Sequence, residues 1–416
     1  MQKSAIYPRH AETLLTEALD DSPVTLIQGP RQCGKTTFAQ EIGRPREYAY
    51  ISFDDDNARR TVQSDPVGFV GELPARAILD EIQRVPELFT ALKIAVDRDR
   101  TPGRFVLTGS TNIMLVPRLS DSLAGRMQTV RLYPFSQCEI VQGGPSNFIP
   151  TVFAGGFGTR RAERLAGGLA ERIVAGGYPA ALERLAGRRR ATWYLDFIEN
   201  LIQRDVRDLA NIRSLETMPR LIAAVATHTA SPFNLASLAA PFHVSRNTIH
   251  EYFTLLERLF LVERVSPWHS NRLSRIVKSP KMHMGDTGLA CALIGVDAPG
   301  LAADRTLLGQ LLETFVYQEL RRQASCLEGP YSFFHYRDRD GVEVDLVIEQ
   351  GTRSVAGIEV KAAATVHPAD FRGLRKLKAA AGDRFVCGVV LYDGEISAGF
   401  GDSMYAVPVR ALWEAL

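Results

Sequence analysis

Short apolar runs that end in polar residues recur through the first third of the chain. Five such runs lie at residues 24–27, 48–53, 75–79, 104–107 and 128–132. Segments between them, such as residues 86–96, carry apolar positions at helical spacing. Runs of this length predict buried strands, and strands that alternate with helices predict a parallel sheet covered on both faces. The pattern therefore predicts an α/β domain with a parallel sheet over residues 1–145.

The pattern changes near residue 145. Residues 143–161 are rich in Gly, Pro, Ser and Thr and lack periodicity, which is typical of a linker. Helical spacing returns at residues 165–174, 191–209 and 218–229. A helix-turn-helix pattern followed by the start of a wing strand covers residues 234–239, 245–256 and 261–266. We therefore predict a helical region over residues 146–230 and a winged helix over residues 231–272.

Acidic and apolar residues alternate near the end of the chain. An amphipathic helix at residues 311–320 precedes two alternating segments, residues 341–349 and 355–361, which are separated by a turn at Gln350 and Gly351. Period-two alternation predicts a pair of neighbouring strands. A second α/β domain is therefore predicted over residues 273–416.

A glycine-bounded loop follows the first apolar run and precedes a helix. Gly29, four further residues and then Gly34, Lys35 and Thr36 have the Walker A spacing of a P-loop. The glycines allow backbone N–H groups to converge on phosphate at a helix N-terminus. Lys35 is expected to reach the β- and γ-phosphates of ATP, and the Thr36 hydroxyl to ligate Mg²⁺. The predicted nucleotide-binding residues of the loop are Gly29, Pro30, Arg31, Gln32, Cys33, Gly34, Lys35, Thr36 and Thr37.

Polar residues at the ends of two later runs complete the predicted nucleotide site. Asp80 and Glu81 follow the third run, as in a Walker B element. We expect Asp80 to hold the Mg²⁺ shell and Glu81 to polarise the attacking water. Ser110 or Asn112, at the end of the fourth run, is expected to lie between these carboxylates and the γ-phosphate.

Composition narrows the class of protein only slightly. The formal net charge of +2 over 416 residues gives no global case for nucleic acid, so any basic surface must be local. The five cysteines form no C-x-x-C pair, which argues against a zinc site or a disulfide framework and fits a reducing cytosol. No export signal or membrane-length apolar run is present, so we expect a cytoplasmic protein without membrane association.

The combination of these motifs resembles a known family. The P-loop, Asp80 with Glu81, the strand end at residues 108–110, and residues 123–126 and 132–136 are together similar to predicted AAA+ ATPases of bacteria and archaea. Members of that family carry a C-terminal domain of unknown function.

The resemblance carries expectations for assembly and for further residues. It implies a homo-oligomer, a helical lid in residues 146–230, and Arg126 as the residue that senses nucleotide state, in cis or from a neighbouring subunit. A packing role for Arg126 is equally expected, and Arg118 is a weaker candidate for the same function. Arg204 is a possible contact to an adjoining site, although a solvated helix position is favoured. If the winged helix binds DNA, Arg246, Asn247, Thr248 and His250 lie near the groove; a packing module is the alternative.

Four residues of the last region resemble the PD-(D/E)xK nuclease core. They are Glu313 on the predicted helix, Asp345 on the first strand, and Glu359 and Lys361 on the second. Glu313, Asp345 and Glu359 would hold Mg²⁺ or Mn²⁺, and Lys361 would orient or help to deprotonate water. Charged edge strands and degenerate nuclease folds give the same pattern without cleavage. Solvated positions are expected for Tyr336 and Arg337, and a turn or helix cap for Asp286.

Two functions follow from these expectations. The first is an ATP-hydrolysing AAA+ protein that couples nucleotide turnover to binding, translocation or cleavage of nucleic acid, with DNA favoured, by a metal-dependent nuclease domain. The second is an ATP-dependent switch whose inactive nuclease fold binds nucleic acid or a protein partner.

Overall fold

The computed structural model describes residues 7–110, 123–203, 217–232, 238–239, 241–242, 244–270 and 279–414. The chain forms two compact units. The N-terminal unit comprises Met1–Phe135 with Leu256–Leu261, and the C-terminal unit comprises Ser136–Leu255 with Val262–Leu416. The N-terminal unit therefore ends earlier than the predicted boundary at residue 145.

A five-stranded parallel sheet forms the N-terminal unit, as the apolar runs predicted. Its strands are β1 (Val24–Gln28), β2 (Ala49–Ser52), β3 (Ala77–Asp80), β4 (Phe105–Gly109) and β5 (Met127–Arg131). The helices of this unit are α1 (Glu12–Asp21), α2 (Lys35–Gly43), α3 (Asp56–Ser64), α4 (Pro66–Gly71) and α5 (Leu88–Arg98). Every residue of β1, β3 and β4 is buried, as is usual for a parallel sheet with helices on both faces.

The strand order brings the polar strand ends together. The order is β2-β3-β4-β1-β5, so β4 lies between the P-loop strand β1 and the Asp80 strand β3. Leu107 on β4 pairs with Leu26 on β1 and with Leu79 on β3. Because all these pairings are parallel, the carboxyl ends of the three strands meet at one edge of the sheet.

The C-terminal unit is built on a ten-stranded sheet with the order β6-β14-β15-β13-β12-β11-β10-β8-β9-β7. Its strands are β6 (Arg160–Arg161), β7 (Ser231–Pro232), β8 (Val262–Pro267), β9 (Lys281–Met284), β10 (Tyr331–Arg337), β11 (Glu343–Gln350), β12 (Ser354–Lys361), β13 (Phe385–Tyr392), β14 (Ile396–Gly399) and β15 (Met404–Pro408). The described helices of this part of the chain are α6 (Gln137–Ile140), α7 (Phe148–Phe153), α8 (Gly167–Ala175), α9 (Pro179–Leu182), α10 (Arg188–Leu201), α11 (Thr217–Thr227), α12 (Arg246–Arg258), α13 (Thr287–Ile294), α14 (Ala298–Ala303), α15 (Arg305–Ala324) and α16 (Arg372–Ala381). Both edge strands, β6 and β7, are only two residues long.

The sheet runs through the predicted boundary between residues 272 and 273. Strand β8 pairs with β9 in the antiparallel sense and with β10 in the parallel sense. The strand of the predicted wing and the strands of the predicted nuclease-like domain therefore share one sheet. Helix α12 covers most of the second predicted winged-helix segment, whereas most of the first, residues 234–239, lies outside the described residues.

The predicted pair of acidic strands is β11 and β12. They pair in the antiparallel sense with Leu346 opposite Ile358, and this register continued by one residue sets Asp345 opposite Glu359. Phe371, Leu374 and Leu377, on and just before α16, share a core with Val344 of β11. Since successive strand residues point to opposite faces, Asp345 points away from α16. No described helix is both long and apolar enough to cross a membrane.

Candidate functional site

Two glycines shape the loop between β1 and α2. Gly34 has a φ of 98°, a left-handed conformation that a side chain would strain. A Cβ on Gly29 would collide with the backbone carbonyl oxygen of Leu132, which lies against the start of the loop. The sequence therefore needs glycine at both ends of the loop, once for backbone conformation and once for close approach.

The loop presents its backbone and the first turn of α2. Gly34 is the N-cap of α2 and offers no side-chain hydrogen bond to the first N–H groups, which suits an anion at this position. Lys35 is buried, and its Nζ donates to the carbonyl oxygen of Pro30, 2.8 Å away. Cys33 faces inward with its Sγ 3.4 Å from the oxygen of Leu132, and burial raises the pKa of its thiol. Cys33 is thus available to a ligand only through its backbone.

Asp80 lies at the centre of a hydrogen-bond network. Its Oδ1 accepts from Thr36 Oγ1 at 2.9 Å and from Thr108 Oγ1 at 2.5 Å, and its Oδ2 accepts from Tyr50 Oη at 2.9 Å. Asp80 itself is only 4% exposed. Burial, and then the hydrogen bond to Asp80, raises the pKa of Tyr50 to about 12, so the phenol remains a donor. Sequence reasoning missed Tyr50, because its position on β2 becomes significant only once β2 and β3 are paired.

Glu81 is held in a defined orientation beside Asp80. Its φ of 58° is left-handed, and its backbone N–H donates to Thr108 Oγ1 at 3.0 Å. Ser110 Oγ donates to Glu81 Oε2 at 3.0 Å, and Gln83 Nε2 contacts the same oxygen and donates to Ser110 Oγ at 2.8 Å. The predicted contact residue Ser110 therefore reaches the predicted water-polarising carboxylate. Gln83, two residues further along, was not predicted.

The oxygens of this edge fit Mg²⁺ bound with nucleotide. In P-loop proteins the ion is held by the loop Thr or Ser and a Walker B Asp, and phosphate oxygens supply further ligands. Thr36 and Asp80 stand in that relation, hydrogen-bonded to each other at 2.9 Å. Few protein ligands are required in this arrangement. It is therefore compatible with the finding that the described residues contain no group of three His, Cys, Asp or Glu able to hold a metal.

Arg126 lies at the amino-terminal ends of the strands, opposite the ends that carry the P-loop. It precedes β5, whose first residue Met127 pairs with Val24 at the start of β1, whereas the P-loop follows the end of β1. Its Nε contacts Asp97 Oδ1 of α5 at 2.5 Å. The structure thus separates Arg126 from the P-loop of its own chain. Arg118, Asn112 and Arg204 lie outside the described residues.

A second cluster forms in the C-terminal unit around a lysine that was not predicted. Lys281, the first residue of β9, is 2% exposed. Its Nζ is 2.8 Å from Glu313 Oε1 on α15 and 3.4 Å from Asp345 Oδ1 on β11. Lys361 Nζ donates to Glu359 Oε1 at 2.8 Å on β12. The four predicted residues therefore come together, but with Lys281 between Glu313 and Asp345.

The charged groups of the cluster shift one another's pKa values. Burial alone would lower the pKa of Lys281, but Glu313 and Asp345 outweigh it and raise that pKa. Burial first, and the charge of Asp345 second, raises the pKa of Glu313 well above its usual range. The same two causes raise the pKa of Glu359 to about 8. Three carboxyl groups thus share a small volume, and two lysines compensate them.

These residues do not fit the divalent cation of a nuclease. The position from which an ion would reach both Glu313 and Asp345 is taken by the ammonium of Lys281. The second oxygen of Asp345 accepts the N–H of Val360 at 2.8 Å. The described residues contain no group of three His, Cys, Asp or Glu suited to a metal. The structure therefore has the ammonium of Lys281 at the position where Mg²⁺ or Mn²⁺ was predicted to bind.

The helix cap predicted at Asp286 is confirmed, and a second cap is found at Ser245. Asp286 caps α13 by accepting the N–H groups of Gly288 and Leu289, at 2.9 and 3.2 Å. It also accepts from Gly177 N at 2.8 Å, so it ties two segments together. Ser245 caps α12, with its Oγ accepting the N–H of Thr248 at 3.1 Å.

Most of the remaining predicted contacts lie at the surface, but Tyr336 is half-buried and packs against the core that contains Trp268, so the solvated position predicted for it is wrong. Arg246, Asn247 and His250 of α12 are exposed, and Thr248 is half-buried. Arg337 pairs with Glu343 at 3.1 Å, which is consistent with the end of a strand.

Comparison with known proteins gives three matching family models. An AAA domain matches residues 21–141, a domain of unknown function (DUF8612) matches residues 167–300, and another (DUF4143) matches residues 308–412. The Walker-type ATPase of Pyrococcus abyssi is 16% identical with a TM-score of 0.45, covering 69% of this chain and 96% of that one. The ORC2 protein of Aeropyrum pernix is 16% identical with a TM-score of 0.35, covering 78% and 98%.

Two curated relatives span nearly all of the chain. The uncharacterised protein Rv2008c of Mycobacterium tuberculosis and the uncharacterised protein Mb2031c of Mycobacterium bovis are each 30% identical over 402 residues, which is 96% of this chain and 83% of each relative. The chain therefore belongs to the same family as these uncharacterised mycobacterial proteins, and its N-terminal unit is a P-loop domain of AAA type.

Proposed function

We propose that the protein hydrolyses ATP at the loop between β1 and α2. The observation that carries this proposal is the joint hydrogen bonding of Asp80 to Thr36 and Thr108. It fixes the loop hydroxyl, the Walker B carboxylate and the tip of β4 relative to one another. Such an arrangement lets phosphate oxygens complete the coordination of a Mg²⁺ ion with little rearrangement of the protein.

Each residue has a defined part in this reaction. The bound Mg²⁺ would neutralise charge on the β- and γ-phosphates. Lys35, once it leaves the carbonyl of Pro30, binds the same phosphates, and the N–H groups of the loop and α2 hold their oxygens. Glu81, held by Ser110 and Gln83, accepts a hydrogen bond from the attacking water and orients it toward the γ-phosphorus.

The experiment measures phosphate release and nucleotide binding by Lys35→Ala, Glu81→Gln and Arg100→Ala. Lys35→Ala should lose ATP binding. Glu81→Gln should bind ATP and hydrolyse it about 10²–10⁴-fold more slowly, the usual contribution of a general base. Arg100, an exposed cation that follows α5, is the control and should leave turnover unchanged. Wild-type turnover in both site variants would refute the assignment.

We further propose that nucleotide turnover controls nucleic-acid binding by the C-terminal unit, with DNA favoured, and that this unit does not cut. Exposed Arg246, Asn247 and His250 at the start of α12 support DNA contact, because a helix N-terminus with such side chains suits the major groove. Lys281, placed among the carboxylates of the nuclease-like cluster, speaks against metal-dependent cleavage.

Fluorescence anisotropy with labelled duplex DNA tests this second proposal. Arg246→Ala should weaken binding and reduce the salt slope by about 1 if it contacts one phosphate. Arg353→Ala, which removes an exposed arginine between β11 and β12, is the control. Intact DNA is expected after incubation with Mg²⁺ or Mn²⁺. Absence of binding in every nucleotide state would refute DNA contact, and cleavage that is lost in Lys361→Ala would restore the nuclease.

A further inference from the structure

We propose that Lys281 is a built-in cation that takes the place of a divalent metal in the acidic cluster, so that the C-terminal unit assembles without metal. We infer as a consequence that replacing Lys281 by a neutral side chain lets Glu313, Asp345 and Glu359, whose present positions do not form a three-carboxylate metal site, close around a divalent cation. This inference deepens the proposed role of the C-terminal unit as a module that does not cut, and it rests on that role.

The position of Lys281 is the first support. Its ammonium joins carboxylates from two other elements, Glu313 on α15 and Asp345 on β11. Oxygen ligands around Mg²⁺ must converge at about 2.0–2.1 Å from the ion, which leaves no room for an ammonium between the same oxygens. Lys281 and a metal therefore exclude each other at this position.

The state of the carboxylate oxygens is the second support. Asp345 uses one oxygen for Lys281 and the other for the N–H of Val360, at 2.8 Å. Glu359 Oε1 is engaged by Lys361, whereas its Oε2 is buried and has no hydrogen-bond partner among the described residues. Glu359 thus retains one oxygen that is free to bind a cation once the centre of the cluster is vacated.

The charge balance is the third support. Metal binding requires deprotonated carboxyl groups, and in that state three carboxylates and two ammonium groups give the cluster a formal charge of −1. A divalent ion would bring it to +1, and a buried charge without compensation is strongly unfavourable. Without Lys281 the cluster stands at −2, and a divalent ion restores neutrality. The same ion is therefore disfavoured in the wild type and favoured in a variant that lacks this lysine.

The test compares Lys281→Met with Lys361→Met. Both variants remove one positive charge, but Lys361 is half-exposed and lies outside the contact between Glu313 and Asp345. Trp193, Trp268 and Trp413 are the three tryptophans of the chain, and all belong to the C-terminal unit. Their fluorescence therefore reports thermal unfolding of this unit, measured in EDTA, in Mg²⁺ and in Mn²⁺, with Mn²⁺ binding followed by calorimetry.

The wild type is expected to unfold at one temperature in all three solutions. Lys281→Met should unfold at a lower temperature in EDTA and recover by several degrees in Mn²⁺. Its Mn²⁺ affinity should exceed that of the wild type by at least about tenfold. Mn²⁺ should not raise the unfolding temperature of Lys361→Met or of the double variant Lys281→Met with Asp345→Asn.

Two results would overturn the inference. One is wild-type Mn²⁺ binding that disappears in Asp345→Asn, and the other is a Lys281→Met variant that neither binds Mn²⁺ nor recovers in its presence. If Lys281→Met does not fold in any solution, the comparison of Mn²⁺ binding between the wild type and Asp345→Asn still tests whether Lys281 excludes the metal. ATP hydrolysis should be retained in Lys281→Met, so failure of this inference is separable from failure of the proposed ATPase.

Discussion

The hydroxyl of Thr108 joins the two carboxylate residues of the nucleotide site. It donates to Asp80 Oδ1 and accepts the backbone N–H of Glu81. This one side chain at the end of β4 therefore holds two groups in place. They are the carboxylate of Asp80, which faces the P-loop, and the left-handed backbone of Glu81. Because Thr108 is fully buried, neither contact competes with water. Small residues at strand ends thus set the geometry within which the larger catalytic groups act.

At the same scale, His283 should make the C-terminal unit sensitive to acid. Burial, followed by the charge of Lys281, holds the pKa of His283 well below 6.5. The unfolded chain takes up a proton near pH 6.5 that the folded chain refuses, so stability is present above that pH and is lost as the pH falls. Its contribution is about 1.4 kcal/mol per pH unit below the unfolded pKa.

Urea unfolding followed by tryptophan fluorescence at about pH 7.5 and about pH 5.5 checks this expectation. His283→Asn, which keeps a polar group near Thr314, should lose less stability between the two pH values than the wild type. Equal losses in the two proteins would show that His283 is charged, or that its titration is not linked to folding.

Residue patterns predicted local chemistry better than they predicted distant contacts. The P-loop spacing and the pair Asp80 and Glu81 are visible because each motif is short and contiguous. Lys281 is not visible in this way, since it is 32 residues from Glu313 and 64 from Asp345. Its place in the cluster depends on the pairing of β8 with β10 and of β9 with β8, and a single sequence carries no signal for these pairings.

The described elements follow their local signals closely. Asp286 and Ser245 cap the helices that they precede, because each side chain satisfies N–H groups of the first turn. Period-two alternation predicted β11 and β12. The parallel pairing of β8 with β10 could not be predicted, since more than sixty residues separate the paired positions Ser266 and Phe334. This pairing joins the predicted wing to the predicted nuclease-like region in one sheet.

Over the whole molecule, Arg126 is the residue whose position bears on assembly. It lies at the edge of its own sheet that is remote from the P-loop, and it contacts Asp97. If it acts on a γ-phosphate, that phosphate must belong to another subunit. The expected homo-oligomer and the expected role of Arg126 are therefore a single hypothesis.

Subunit mixing tests that hypothesis. Arg126→Ala should bind ATP normally and hydrolyse it about 10³-fold more slowly, the lower range for an arginine finger. Mixed in equal amounts with Glu81→Gln, it should regain roughly a quarter of the wild-type rate, since intact residues then meet at some interfaces. Arg100→Ala, which removes another cation beside Asp97, is the control. A mixture no faster than its separate components would leave Arg126 with a packing role.

The two short edge strands of the large sheet limit how copies of this chain can aggregate. β6 consists of two exposed arginines, and β7 ends in Pro232, which has no N–H to offer a further strand. A sheet of ten strands with open edges would be a template for amyloid-like stacking of one copy on another. Here like charge repels an approaching copy at one edge, and a missing donor interrupts pairing at the other. We therefore do not expect ordered assembly through the edges of this sheet, and substitutions that lengthen β6 or β7 carry a risk of fibre formation.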